Sequence, residues 1–346
     1  MKKRLFYIDK LRAIACLAVV MIHVSSLYMV NMGNKFDFFI ANFFDGVSRI
    51  GVPIFVMISG ALLLDQNCKN DFSDMVTRIK RLFVKFIVWS VIYSMIYNIF
   101  FCIIRKEPIS GYKIIYDVIV GHYHLWFIYM LLGLYLIVPL LKLWIKKENE
   151  KEIKYFIILA FIFTFFLPQV IDIVTSLGGT FEIGKAIENA FDLKYVGGYT
   201  VYFILGWYLN NYELKKSSVY ILGAMSFIFT IFGNYFLANV THNNSLMFDN
   251  LSVNILLQSI FVFCMVKNSS DRDKLHKKTC INRLSDKSLG IYLVHVVVVE
   301  MLYTLVLHLK IVSSFLGCIF IFLGTVCISS LIIGVIKKTK ISKYII

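Results

Sequence analysis

The sequence predicts an all-α polytopic membrane protein with about ten transmembrane helices and both termini in the cytoplasm. Three observations carry this. Of 346 residues, 59% are hydrophobic and only 16% charged, and the mean hydropathy is +0.75, far from a soluble globular domain. Windows of about nineteen residues pick out apolar segments near 11–30, 46–64, 82–104, 122–141, 154–174, 195–210, 219–238, 251–267, 288–309 and 312–336. The third observation is the distribution of the 36 Lys and Arg. With the N-terminus inside, all but eight of them (Lys35, Arg49, Arg105, Lys106, Lys113, Lys185, Lys194 and Lys310) fall on the cytoplasmic side. The net charge of +15 then reflects the positive-inside rule and not a nucleic-acid surface.

The first segment, Asp9 to Val30, carries Asp9, Lys10, Arg12 and His23, and ionisable residues in such a segment are functional candidates. Arg12 and His23 are separated by about 16 Å along a helix and about 20° around it, so both point one way at different depths. Arg12 can also be read as a snorkelling interfacial cation. His23 lies too deep for that reading, and imidazole suits proton movement near neutral pH. The opening MKKR imitates a signal peptide, but Arg12 and His23 interrupt the apolar run and no small-residue cleavage site follows, so the segment reads as a retained helix.

The second segment is expected to begin with Arg49 at its external end and continues GVPIFVMISGALLL. There Pro53 loosens the backbone ladder, and Ser59 with Gly60 allows close helix approach. Ahead of the third segment stand Arg78, Ile79, Lys80 and Arg81, where two arginines share a helix face and could grip phosphates, or could be ordinary cytoplasmic charge. The fourth opens with His122, His124 and Trp126, expected near the external side, where such residues also serve as interfacial belts. The sixth is short and contains Gly197, Gly198 and Gly206; the fifth, seventh, eighth and tenth rest on hydropathy alone. The ninth begins SLGIYLVH, placing Ser288, Tyr292 and His295 on one face, with Glu300 deeper and turned roughly 140° away.

Several chemistries find no support. Cys16, Cys68, Cys102, Cys264, Cys280, Cys318 and Cys327 form no CxxC pair or metal-ligand spacing and read as packing residues. His122 and His124 have no carboxylate or cysteine nearby in sequence, so no metal site is expected. There is no GxSxG elbow, P-loop or GxGxxG cradle. The longest polar connections, 175–194 and 268–287, are too short for a soluble domain, so residues 1–346 read as one membrane domain. The absence of an internal repeat disfavours transporters built from two related halves.

The chain resembles the integral-membrane acyltransferase family 3, which places acyl groups, commonly acetyl, on extracytoplasmic glycans and related acceptors. The resemblance rests on Asp9, Leu11, Arg12 and His23, on VPIFVMISG from Val52 to Gly60, on Arg78 and Arg81, on HLWFI from His124 to Ile128, and on SLGIYLVH from Ser288 to His295. It implies acyl-CoA, above all acetyl-CoA, as a donor substrate arriving from the cytoplasm, with no tightly bound cofactor. Arg78, Lys80 and Arg81 would bind the donor. Arg12 and His23 would be catalytic, His23 as general base or transient acyl carrier. Arg49, His124 and Trp126 would face the acceptor, with Asp9, Ser288, Tyr292, His295 and Glu300 in support. The partners implied are the lipid bilayer, acyl-CoA and a surface polysaccharide, with no nucleic acid, and the membrane implied is a bacterial cytoplasmic one. The other reading is a transporter or glycan exporter using the same polar residues as a path.

Overall fold

The computed structural model describes residues 5–30, 34–66, 72–106, 110–179, 186, 197–270, 280–309 and 313–346. Several predicted features lie outside the described residues: Lys2, Lys3, Arg4, Lys69, the start of the sixth segment, and the cations between 271 and 279. Among the described residues there is no strand. Eight helical stretches are long and apolar enough to cross a membrane. Each of the ten apolar windows overlaps at least one helix among the described residues.

Helix α1 (Phe6–Met29) stands at the centre. It packs against α2 (Lys35–Ser48), α3 (Gly51–Leu63), α11 (Val253–Ser270), α12 (Cys280–His308) and α13 (Ser314–Ile336). The remaining long elements are α4 (Phe72–Arg105), α6 (Trp126–Trp144) and α10 (Lys216–Thr241), with α14 (Ser342–Ile345) returning against α4. Helices α7 (Glu150–Ala160) and α8 (Leu167–Ser176) are joined by a π-helical stretch, Phe161–Phe166. Pro168 stands two residues beyond its end, and its missing N–H and bulky ring explain the slipped ladder.

Two interrupted spans matter most for function. The second span begins at Lys35, not at residue 46, because Asn34 caps it by accepting hydrogen bonds from the Phe36 and Asp37 amides. It kinks at Arg49–Ile50, since the Pro53 ring crowds the carbonyl of the residue four positions earlier. Arg49 therefore sits at a mid-span kink, not at an external helix end. The fourth span consists of α5 (Gly111–Val120), a break at Gly121–His122, a 3₁₀ turn over Tyr123–Leu125, and α6. Gly121 has φ +78°, and a Cβ there would meet the Phe86 ring at 2.9 Å, so both backbone and space require glycine. Non-helical backbone at this depth is tolerated only where protein or a cavity surrounds it. Both breaks point at α1.

Helix α9 (Gly198–Asn211) is only 14 residues long, about 21 Å, and grips α3 through a reciprocal glycine contact. A Cβ on Gly60 would strike the Phe203 carbonyl, and one on Gly206 would strike the Met57 carbonyl. The close approach expected of Gly60 is thus present, in the small-residue manner of membrane helices.

Hydrogen bonds sort the helix ends. At one end Tyr7 reaches Asn210, Lys267 Nζ donates to the Leu209 carbonyl at 2.7 Å, Gln66 donates to the Ile145 carbonyl at 2.7 Å, and Lys337 donates to the Asp286 carbonyl. At the other end Asn244 donates to the Met29 carbonyl at 3.1 Å and the Ser314 amide to Asp37 at 3.1 Å. These are the two groups of segments that the charge pattern assigns to opposite sides.

Candidate functional site

The site has two tiers, and α1 links them. In the lower tier Arg12 lies 3.3 Å from Asp9 and 3.3 Å from the Ser285 hydroxyl, which in turn donates to Asp9 at 2.9 Å. Asp9 is buried, and a buried carboxylate is tolerable because a cation and a hydroxyl satisfy it. Arg12 and Arg78 then line a cavity of about 280 Å³ together with Ser59, Tyr135, Ser288 and Tyr292. Lys80 and Arg81 lie exposed on α4 and do not line it. Arg78 is exposed as its neighbours are, but of the three it is the one that borders the cavity.

Tyr292 closes the cavity. Its hydroxyl donates to the carbonyl of His124, in the broken fourth span. His124 is 1% exposed and so is no interfacial belt residue; the break at Gly121 folds it into the bundle interior. One turn beyond Tyr292, His295 Nδ1 lies 2.6 Å from the Tyr292 carbonyl. A carbonyl only accepts, so Nδ1 carries the proton and Nε2 presents its lone pair. Nε2 is buried with no hydrogen-bond partner among the described residues.

Above the cavity four imidazoles gather. His23 lies with its ring centre 4.9 Å from that of His295 and 6.5 Å from that of His124. His122 and His124 approach Nδ1 to Nδ1 at 2.9 Å, so one donates and the other accepts. His23 Nδ1 lies 3.4 Å from the Tyr123 hydroxyl, and the His23 side chain remains partly exposed. Tyr93 and Tyr97 stack on His122 with ring centres 4.7 Å away in each case. Glu300 accepts a hydrogen bond from Tyr97, which is where that carboxyl turns. No group of three His, Cys, Asp or Glu among the described residues could hold a metal ion.

At the kink of the second span Arg49 pairs with Asp45, one turn before it, and Asp45 also accepts from Ser25 at 3.2 Å. The guanidinium lies 4.9 Å over the Phe248 ring. Trp126 opens α6 and packs on Tyr199 of α9 with ring centres 5.6 Å apart.

The structure therefore brings together Asp9 with Arg12, Arg12 with Arg78, and His23 with His124, Tyr292 and His295. Lys80 and Arg81 stand apart. Sequence reasoning missed Asp45, Tyr93, Tyr97, Tyr123, Tyr135 and Ser285. Asp45 had a signal, a carboxylate one turn from Arg49 within an apolar run. Tyr123 had one too, its place between His122 and His124, whereas Tyr93, Tyr97 and Tyr135 had none, since their partners are distant in sequence.

Among protein families, one described as an acyltransferase domain matches residues 5–334. No curated protein and no solved structure matches the chain.

Proposed function

The chain belongs to the integral-membrane acyltransferase family 3, whose domain spans nearly all of it, and from that premise we propose a cell-membrane O-acetyltransferase. In this reading it moves an acetyl group from cytoplasmic acetyl-CoA to a hydroxyl of an extracytoplasmic acceptor, a cell-surface polysaccharide. The observation that carries the reading is the cavity with two arginines at one end and Tyr292, bonded to the His124 carbonyl, at the other. Its arginine end suits the donor phosphates. Its other end abuts the histidine cluster, as the thioester of a donor held by Arg12 and Arg78 would require. Lys80 and Arg81, exposed on the same helix, add an attractive field outside the opening.

In the transfer step the acceptor oxygen attacks the thioester carbonyl carbon while His23 takes the hydroxyl proton. The tetrahedral intermediate expels CoA thiolate, which recovers the proton from His23, so the products are the ester and CoA thiol. The unpartnered Nε2 of His295, on the neighbouring ring, offers a second base to share that proton.

Two measurements test this. Purified protein in lipid nanodiscs, given radiolabelled acetyl-CoA and surface glycan, should release CoA thiol and form base-labile esters on the glycan. Surface glycans from cells without the gene should lack those esters. Solute movement across vesicles with acetyl-CoA left unconsumed would replace this reading with that of a transporter.

A further inference from the structure

A second cavity, of about 290 Å³, lies beyond the histidine cluster and is lined by Tyr93, Tyr97, Lys113, Asp117, His122 and Tyr123. Its lining side chains carry hydroxyl, ammonium, carboxyl and imidazole groups, and Tyr123 joins it to His23 at 3.4 Å. A third, of about 180 Å³, lies between α4 and α12 and is lined by Ile96, Tyr97, Phe100, Glu300, Met301 and Thr304. Tyr97 belongs to both.

The flanks of this cleft are apolar and exposed: Ile96 is 41%, Phe100 54% and Met301 67% accessible, on helices that span the bilayer. Lipid chains are the medium they meet. Yet the cleft holds the Glu300 carboxyl bonded to the Tyr97 phenol, and a carboxyl facing hydrocarbon is costly without a functional reason. From there polar groups continue inward without a gap: Tyr97 stacks on His122, the His122 and Tyr123 rings lie 4.6 Å apart, and Tyr123 meets His23. Glu300 lies one turn and a half beyond His295, about 7.5 Å nearer the outer end of α12. Neither cavity alone reaches the usual range for a whole ligand, roughly 300–1,000 Å³, and Tyr97 is the side chain that borders both.

We propose that the acceptor reaches the site sideways from the outer leaflet, as a glycan still borne on a lipid, through the α4–α12 cleft. Its chain lies along Ile96, Phe100 and Met301, and its sugar passes Tyr97 and Glu300 into the polar cavity beside Tyr123 and His23. The identity of the reacting hydroxyl rests on the acyl-transfer reading; the route does not.

The test uses the full-length protein in phosphatidylcholine nanodiscs and a hexadecyl β-glucoside with a photoreactive diazirine on its chain. Crosslinks should concentrate on residues 96–100 and 297–304, and excess unlabelled hexadecyl glucoside should suppress them while methyl glucoside does not. Thr304→Trp, which fills the cleft from an exposed position, should cut crosslinking several-fold; Leu331→Trp, on the exposed face of α13, should leave it unchanged. Crosslinks spread evenly over the lipid-facing helices, or equal competition by methyl glucoside, would overturn lateral access. The same preparation is assayed with radiolabelled acetyl-CoA. Focused crosslinking without any acetyl transfer would sink the acyltransferase reading and leave the cleft standing; acetyl transfer with dispersed crosslinking would do the reverse.

Discussion

In the proposed transfer His23 serves as the base, because it alone of the four clustered imidazoles is both partly exposed and in contact with Tyr123 and His295. His23→Ala should lower acetyl transfer by about 10²–10⁴ while leaving donor binding intact, and His23→Gln, which cannot take a proton, should match it. Single-turnover transfer alongside CoA-binding isotherms would check this; normal transfer by the glutamine variant would move the base to His295. The arginines should separate in a different assay. Arg12 and Arg78 line the cavity proposed for the donor, so Arg12→Ala and Arg78→Ala should raise the KM for acetyl-CoA with kcat less affected, whereas Arg81→Ala, outside the lining, should change KM far less. Equal KM increases for all three would show that the exposed face also touches the donor. Asp45 offered only its spacing from Arg49 as a signal, and its weight comes from the kink, which buries the carboxylate and leaves the guanidinium partly exposed. Leaving a buried charge without its partner costs about 3–5 kcal/mol, so Arg49→Ala, which strands the buried Asp45 carboxylate, should lower the midpoint of thermal unfolding in detergent more than Arg49→Ala with Asp45→Asn combined.

At the scale of elements, function depends on helices that fail to run straight. Pro53 and Gly121 interrupt the second and fourth spans, and those interruptions bring Arg49, His122 and His124 to α1. Gly121→Ala should therefore harm both stability and activity, since it imposes a positive φ on a side chain that also meets Phe86 at 2.9 Å. Gly133→Ala, with open space around it, is the matched control. Thermal unfolding and acetyl transfer read on both variants would decide, and an unaffected Gly121→Ala would mean the break forms without help from glycine. The reciprocal contact of Gly60 and Gly206 makes the same point for packing, because backbone carbonyls occupy the space a methyl group would need.

For the whole molecule, the arrangement is a central α1 with one cavity beside Arg12 and Arg78 and another beside Tyr123, separated by histidines and tyrosines. Its orientation follows from charge. With native cysteines replaced, an impermeant thiol reagent should label Asn243→Cys on intact cells and Glu148→Cys only after permeabilisation, because the two positions lie at opposite helix ends. The reverse pattern would invert the donor route.

Hydropathy and charge, which are local sums along the chain, already determined a helical membrane protein and its apolar segments, and they singled out Arg12, His23 and His295 as ionisable groups among apolar neighbours. The motifs in order were enough to assign the family. Only the tertiary structure decided that Arg78 faces the cavity while Arg81 does not, that Glu300 turns to Tyr97, and that His124 is interior. Each of these depends on where a helix kinks or breaks and on which distant helix fills the space beside it. A hydrophobic window averages over a break, and a side chain's direction is set by packing partners that can lie two hundred residues away, as Tyr97 and Glu300 do.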